Sequence, residues 1–404
     1  MTEKLFRSRW ILPISQPPIE NGWVLTRGLE VVALGSGDDW PHGSQVVDLG
    51  DAAILPGLVN AHTHLEFSDL SRPIGFPGIK LHQWIELVIR NRTSRPDPGW
   101  VISKGAALAF EGGAHLVGEI ATIPWAGFRS RFSPEIVVFG EVLGLATARA
   151  DERFSAVSTH FAKSLVVDRV TAAISPHAPY STSLETVARC VDYAKSQNAL
   201  LAMHMCESIE ERELIERGIG PFAQQLKNLG VFQAGHFGKG PQVTLTILQK
   251  LAEAPSALVI HGNDLRPSEI DFLSSQSQMT VVYCPRTHAF FRHPQHPVRQ
   301  LIDSGVRVAL GTDSLASNPD LSIWNEVRWL LEHRTDISWH ETLAMATIHG
   351  ADAFGRSDLG RIQAGARCGL LALPGRVQEV NALPELWIDD PSPPAWITEP
   401  ADFS

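Results

Sequence analysis

Apolar residues in this chain change their spacing twice. Over residues 1–54 they fall into short runs broken by turn-forming residues: RSRWILPI, GWVLTRG, EVVALGS and QVVDLG. None sustains a helical period, so the segment reads as strands of a small β domain. Beyond it, strand-like apolar runs recur with amphipathic stretches between them, the pattern of parallel βα units whose strands are buried on both faces. The runs are 53–64, 114–122, 135–144, 170–178, 200–207, 257–264, 279–285 and 306–314. Eight is the number that closes a (β/α)8 barrel. Stretches such as LETVARCVDYAKSQ and SIWNEVRWLLEHR carry the helical period in the gaps.

After Gly355 the chain reads LGRIQAGARCGLLALPG, strand-like and rich in turns again. These strands are expected to pair with the N-terminal ones. The expected protein is therefore α/β, with residues 55–355 as a (β/α)8 TIM-type barrel and residues 1–54 and 356–404 as two parts of one β-sandwich domain. The tail, Pro-rich near 389–394, reads as an irregular strap. No internal repeat or low-complexity block interrupts this plan.

Composition leaves the plan intact and narrows the function. The 404 residues are 44% hydrophobic and 19% charged, with a net charge of −10. Phosphate recognition needs clustered Lys and Arg, so neither nucleic acid nor an anionic membrane surface is an expected partner. Cys190, Cys206, Cys284 and Cys368 are scattered without a C-x-x-C pair, which argues for reduced thiols in the cytosol. The N-terminal MTEKLFRSRWILPISQPPIENG has charges and prolines where a signal peptide needs an apolar core. No run approaches the ~18 apolar residues of a spanning helix. The sequon Asn91-Arg92-Thr93 then reads as chance.

Chemistry-bearing residues gather at the carboxyl ends of the proposed strands. The first ends in His62-Thr63-His64, the fifth in His204, the sixth in His261 and the eighth in Asp313. Barrel enzymes build their sites at this end. Alternation along a strand points His62 and His64 the same way, so one ion can bridge them. Three imidazoles and a carboxylate suit Zn²⁺, with Fe²⁺ as the alternative, and leave a position open for water. A lone His-x-His pair arises by chance; four strand ends in barrel order do not. Glu207 lies three residues after His204, and His261 is either a further ligand or a proton carrier. The fourth strand ends in Ser175-Pro176-His177 without a Lys to bridge two ions, so one ion is expected.

Five segments in order carry a resemblance: Pro56-Gly57-Leu58-Val59-Asn60-Ala61-His62-Thr63-His64, Ser175-Pro176-His177-Ala178-Pro179-Tyr180-Ser181, His204-Met205-Cys206-Glu207, His261-Gly262 and Gly311-Thr312-Asp313-Ser314. Together they resemble the amidohydrolase superfamily, in its branch of cytosine-, guanine- and adenosine-type deaminases and triazine hydrolases. The resemblance spans nearly the whole chain. It implies His62, His64, His204 and Asp313 as metal ligands, with Asp313 also the base that takes a proton from a metal-activated water. It implies Glu207 as the acid that protonates a ring nitrogen, and His261 as the group that steadies the developing oxyanion. A small-molecule substrate and a homodimer are implied as partners.

For the substrate, the S-P-H-A-P-Y-S segment with His177 resembles deaminases of S-adenosylhomocysteine and methylthioadenosine, as does Ser317 in D-S-L-A-S. Those relatives hold ribose with a Glu where this chain has His82-Gln83-Trp84, so Gln83 is an altered hydroxyl contact and Trp84 either a wall of the site or helix packing. Cys284-Pro285-Arg286-Thr287-His288-Ala289-Phe290-Phe291 departs from the relatives' C-P-x-S-N and makes His288 a candidate for the pocket wall. His62-Thr63-His64-Leu65-Glu66-Phe67-Ser68 looks most like aminodeoxyfutalosine deaminases, whose nucleoside ends in a benzoate; Glu66 and Ser68 either line that pocket or cap the loop. Arg149, Arg153 and Arg286 are candidates for a carboxylate clamp.

The leading expectation is hydrolytic deamination of a 6-aminopurine nucleoside. Alternatives are hydrolysis of another C–N bond in a cyclic amide or triazine, a barrel that keeps its metal only for binding, and a lyase without metal on the same fold.

Overall fold

The computed structural model describes residues 3–41, 43–92, 97–127, 133–164, 169–367 and 369–398. Cys368, Thr93 of the sequon and the last residues of the tail lie outside them.

Five strands open the chain: β1 (Glu3–Ile11), β2 (Ile19–Arg27), β3 (Glu30–Ser36), β4 (Gln45–Asp48) and β5 (Ala52–Pro56). Eight follow: β6 (Leu58–Thr63), β7 (Ala114–Ala121), β8 (Glu135–Val142), β9 (Val170–Pro176), β10 (Leu200–Met205), β11 (Ser256–His261), β12 (Met279–Tyr283) and β13 (Arg307–Leu310). Two close it, β14 (Leu370–Pro374) and β15 (Ala395–Trp396).

Strands β6 to β13 stand in sequence order in one parallel sheet, and all eight expected barrel strands are among them. The sheet closes between its first and last members through a parallel bridge from Thr63 to Asp313. Asn60 clamps this seam: its amide donates to Thr312 Oγ1 at 2.8 Å and its oxygen accepts from the Thr312 amide at 3.1 Å. Val59, Ala61, Val137, Phe139, Ala173, Ala202, Val282 and Ala309 fill the barrel interior, mostly small or branched side chains that pack in layers.

Helices cover the outside where the apolar period says they should. The stretch Leu184–Gln197 buries Val187, Cys190, Val191 and Ala194 on one face. Ser183 caps its start by accepting from the Thr186 amide at 3.1 Å, and Asn198 ends it in the left-handed region. Among the described residues no helix is long and apolar enough to cross a membrane.

One expected strand is two. The run 53–64 breaks at Gly57, so that β5 belongs to the other sheet and only β6 to the barrel. A Cβ at Gly57 would stand 2.8 Å from the His115 Cβ and 3.0 Å from the Trp396 ring, so only glycine lets the backbone cross between domains there.

The second sheet has seven strands in the order β15-β14-β5-β1-β2-β3, with β4 beside β1. It joins both chain ends, because β14 runs antiparallel to β5 from Leu370↔Pro56 to Pro374↔Ala52. Both faces of its centre are covered. Phe6, Val24 and Ile54 pack on one side with Ile362 and Leu370, while Leu5, Trp23 and Leu25 cluster on the other. The tail is more ordered than a strap: Trp396 in β15 stacks on Phe110 at 4.7 Å and donates its Nε1–H to the Phe110 carbonyl at 2.9 Å.

Candidate active site

Strand order brings the strand-end residues to one place. His62 ends β6, His64 follows it, His204 is near the end of β10, His261 ends β11, and Asp313 lies just past β13. His64 Nε2 is 3.3 Å from His204 Nε2, while Asp313 Oδ1 is 3.5 Å from His62 Nε2 and 3.8 Å from His64 Nε2. Nitrogen and oxygen atoms of His62, His64 and His204, and of His62, His261 and Asp313, each lie within 4.8 Å of one another.

The site fits a metal ion on its own chemistry. His62 is fully buried, yet neither of its ring nitrogens has a hydrogen-bond partner among the described residues. Two orphaned nitrogens are costly, and coordination relieves one of them. His204 Nδ1 donates to the His177 carbonyl at 2.9 Å, which fixes the tautomer with a bare Nε2 facing His64. Burial holds the imidazoles of His62 and His261 well below their usual pKa and brings His204 down to about 4, aided by the neighbouring His177. Neutral imidazole is the form that binds a metal.

Glu207 is buried beside this cluster, with Oε1 3.5 Å from His261 Nε2. Burial, then the charges of Asp313 and Glu211, push its carboxyl well above the usual range, which favours the protonated form. The backbone at these positions is strained. Cys206, His261 and Asp313 all have positive φ, at 55°, 71° and 57°.

Three groups that sequence reasoning passed over hold this geometry. Glu211, fully buried, accepts from the Cys206 amide at 3.0 Å and the Glu207 amide at 3.1 Å. Arg212 ties the same turn to the loop after β11 through Asp264 at 2.5 Å and to the helix Pro267–Ser274 through Glu269 at 2.8 Å. His296 donates from Nε2 to the His261 carbonyl at 2.8 Å. The motif Ser208-Ile209-Glu210-Glu211 carries the S-x-x-E signal of a helix start, which flags Glu211 but not its target.

The expected substrate residues divide. His177 is at the site, its ring 5.1 Å from that of His204, with Nδ1 2.5 Å from Ser181 Oγ and Nε2 3.6 Å from Glu141. Ser317 is fully buried and donates to Asp313 Oδ2 at 2.9 Å, so it supports the ligand. Trp84 donates to the Ala316 carbonyl at 3.1 Å in the same loop and packs edge-on against Phe291. Gln83, one residue earlier on the helix Leu81–Arg92, is exposed.

Glu66 is half-buried in the 3-10 turn Leu65–Phe67. Ser68 is fully buried under the helix Pro98–Glu111, where a Cβ on Gly105 would touch its hydroxyl at 2.2 Å; it packs the loop and does not line a pocket. His288 is buried behind His296, bonded to the Pro294 carbonyl at 2.9 Å, and is not brought to the metal cluster. Arg286 is committed to Asp320, Asn318 and Glu326, which removes it from a clamp. Arg153 reaches the Ile123 carbonyl, and Arg149 is exposed at the start of its helix.

The chain is similar to known proteins in sequence and in fold. Residues 53–386 match the model of the amidohydrolase family. A 5-methylthioadenosine/S-adenosylhomocysteine deaminase of Moorella thermoacetica is 27% identical over 394 residues, covering 92% of this chain and 85% of the relative. An aminodeoxyfutalosine deaminase of Deinococcus radiodurans is 30% identical over 321 residues, 76% of this chain and 75% of the relative. In fold, the chain superposes on a crystal structure of Helicobacter pylori aminofutalosine deaminase with a TM-score of 0.82, at 20% identity and 98% coverage of both chains.

Proposed function

The chain belongs to the amidohydrolase family, and on that footing we propose that it is a metal-dependent hydrolase that deaminates a 6-aminopurine nucleoside. Both relatives described above are deaminases by name, one of 5-methylthioadenosine and S-adenosylhomocysteine and one of aminodeoxyfutalosine. The observation that carries the reading is one convergence: the clusters His62–His64–His204 and His62–His261–Asp313 share His62, with the Glu207 carboxyl 3.5 Å from His261 beside them.

The ion is Zn²⁺ on this reading, held by three imidazoles and one carboxylate. When bound, such an ion is a Lewis acid that lowers the pKa of water from about 15.7 towards ~7. The protein's own groups then divide the proton work. Asp313 takes a proton from the attacking water as its oxygen adds to the ring carbon that bears the amino group. Glu207, whose burial favours the protonated form, gives its proton to the adjacent ring nitrogen and makes that carbon electrophilic. His261, neutral and held in place by His296, donates to the developing oxyanion. Asp313 passes the proton it took from the water to the amino group, and the C–N bond breaks as ammonia leaves. Ser317 holds Asp313 in line, and His177, just past β9, stands beside His204.

A cytosolic location belongs to the same reading. Cys190, Cys206 and Cys284 are buried free thiols, as a reducing compartment keeps them.

The test is ammonia release by the zinc-loaded protein from adenosine, methylthioadenosine, S-adenosylhomocysteine and aminodeoxyfutalosine. Turnover with the adenine-to-hypoxanthine spectral shift is expected for at least one of them. No turnover of any 6-aminopurine nucleoside by protein that holds its metal sinks the reading.

A further inference from the structure

Strand β8 carries its inward-facing side chains at alternate positions. Val137 and Phe139 lie in the barrel interior, and the next inward position, two residues on at the carboxyl end, is Glu141. Its register partner across β8 and β9 is Ser175, two residues before His177. The side chain is 4% exposed. Among the described residues no donor reaches its carboxylate within hydrogen-bond distance; His177 Nε2 stands at 3.6 Å.

A buried carboxylate with its lone pairs unmet is unfavourable unless something supplies donors. The fold itself explains other buried acids: Glu211 receives two amides, Glu119 the Leu65 amide, and Glu326 the Arg286 amide. Glu141 has no such explanation. Its place gives one. It lies on the strand next to β9, whose His177 ring adjoins the metal ligand His204. A nucleoside with its amino-bearing carbon at the metal cluster and its ring nitrogen on Glu207 extends past His177 towards β8. The donors it offers beyond the base are sugar hydroxyls.

We propose that Glu141 is a specificity-determining residue that accepts hydrogen bonds from the vicinal sugar hydroxyls of the nucleoside, with His177 beside it. The assignment rests on the deaminase reading above. It moves hydroxyl recognition from Gln83, exposed on its helix, to an inward carboxylate on the third barrel strand. Two carboxylate oxygens match two neighbouring hydroxyls, as one amide oxygen does not.

The experiment compares kcat/KM for the best nucleoside of the panel and for its 2′,3′-dideoxy counterpart, in wild type, Glu141→Ala and Glu141→Gln. Wild type is expected to favour the hydroxylated substrate by about 10- to 100-fold, the range set by hydrogen bonds to a charged acceptor. Glu141→Ala is expected to bring that ratio down to about 1–3, with Glu141→Gln between, since an amide oxygen still accepts one bond. A ratio unchanged in Glu141→Ala, or equal losses on both substrates, overturns the proposal. If Glu141→Ala fails to fold, as judged by circular dichroism and metal content, the Gln variant decides: an unmoved ratio there overturns it too. Absence of turnover on every nucleoside in the wild type overturns the deaminase reading itself, and this assignment with it.

Discussion

Glu207 sits in the same barrel mouth as Asp313, and their partners differ: Glu207 faces His261, whereas Asp313 accepts from Ser317 and faces His62. A carboxyl group pushed well above its usual range favours the acid form, whereas the carboxylate that accepts Ser317's hydroxyl is placed to act as ligand and base. Exchanging Glu207 for Gln keeps the shape and removes the transferable proton. Glu207→Gln is expected to retain one metal ion per chain and to lose about 10²- to 10⁴-fold in kcat, the range typical of a general acid. Metal analysis beside ammonia release checks both halves. Activity within ~3-fold of wild type would remove Glu207 from the acid role. The identities of these residues were legible from position alone, because strand ends in barrel order name themselves. Glu211, His296 and Glu141 were not, since each acts through burial and through neighbours distant in sequence.

At the scale of elements, the seam between β6 and β13 decides whether the metal ligands meet. His62 and Asp313 lie on the first and last barrel strands, and the seam holds them through few bonds. The amides of Thr312 and Asp313 both donate to the His62 carbonyl, at 3.1 and 3.0 Å, and Asn60 makes two side-chain bonds to Thr312. Asn60→Ala removes both, while the Thr312 amide keeps the His62 carbonyl as acceptor, an expected loss of about 1–3 kcal/mol. Denaturant unfolding of the variant measures it, and metal affinity is expected to fall in step. A stability change below ~0.5 kcal/mol would show that the seam does not depend on Asn60. The eight strands were legible from their apolar runs, but the break at Gly57 was not. No local period marks a strand that changes sheets, and the need for glycine arises only from His115 and Trp396.

The whole molecule is a barrel strapped at its base by a sheet from both chain ends, and His115 lies at that junction. Its Nδ1 accepts the Gly369 amide at 3.2 Å, next to β14, so the ring is neutral in the folded state. Burial lowers its pKa from 6.5 to about 4, against the opposing charge of Glu135. A folded pKa below the unfolded one means that acid favours the unfolded chain. The contribution of His115 is full above pH 6.5 and is lost as pH falls towards 4, by up to ~3 kcal/mol. His115→Gln keeps an acceptor for Gly369 and does not titrate. The drop in unfolding free energy between pH 7 and about 4.5 is expected to be smaller in the variant by about 2 kcal/mol. Parallel pH profiles would show that His115 takes no part in acid unfolding.

The sequence by itself determined which elements form and what chemistry sits at their ends. Both are local: an apolar period selects strand or helix, and two histidines at i and i+2 face one way whatever surrounds them. Only the tertiary structure decided what those residues meet. The closure of β6 on β13 joins Thr63 to a residue 250 positions away and brings His62 within 3.5 Å of Asp313. Burial, summed over many elements, pushes the Glu207 carboxyl well above its usual range and leaves Glu141 facing inward without a donor among the described residues. The same packing exposes Gln83 and takes Arg286, His288 and Ser317 into internal bonds. Periodicity is carried by neighbours in the chain; burial and long-range pairing exist only once the barrel has closed.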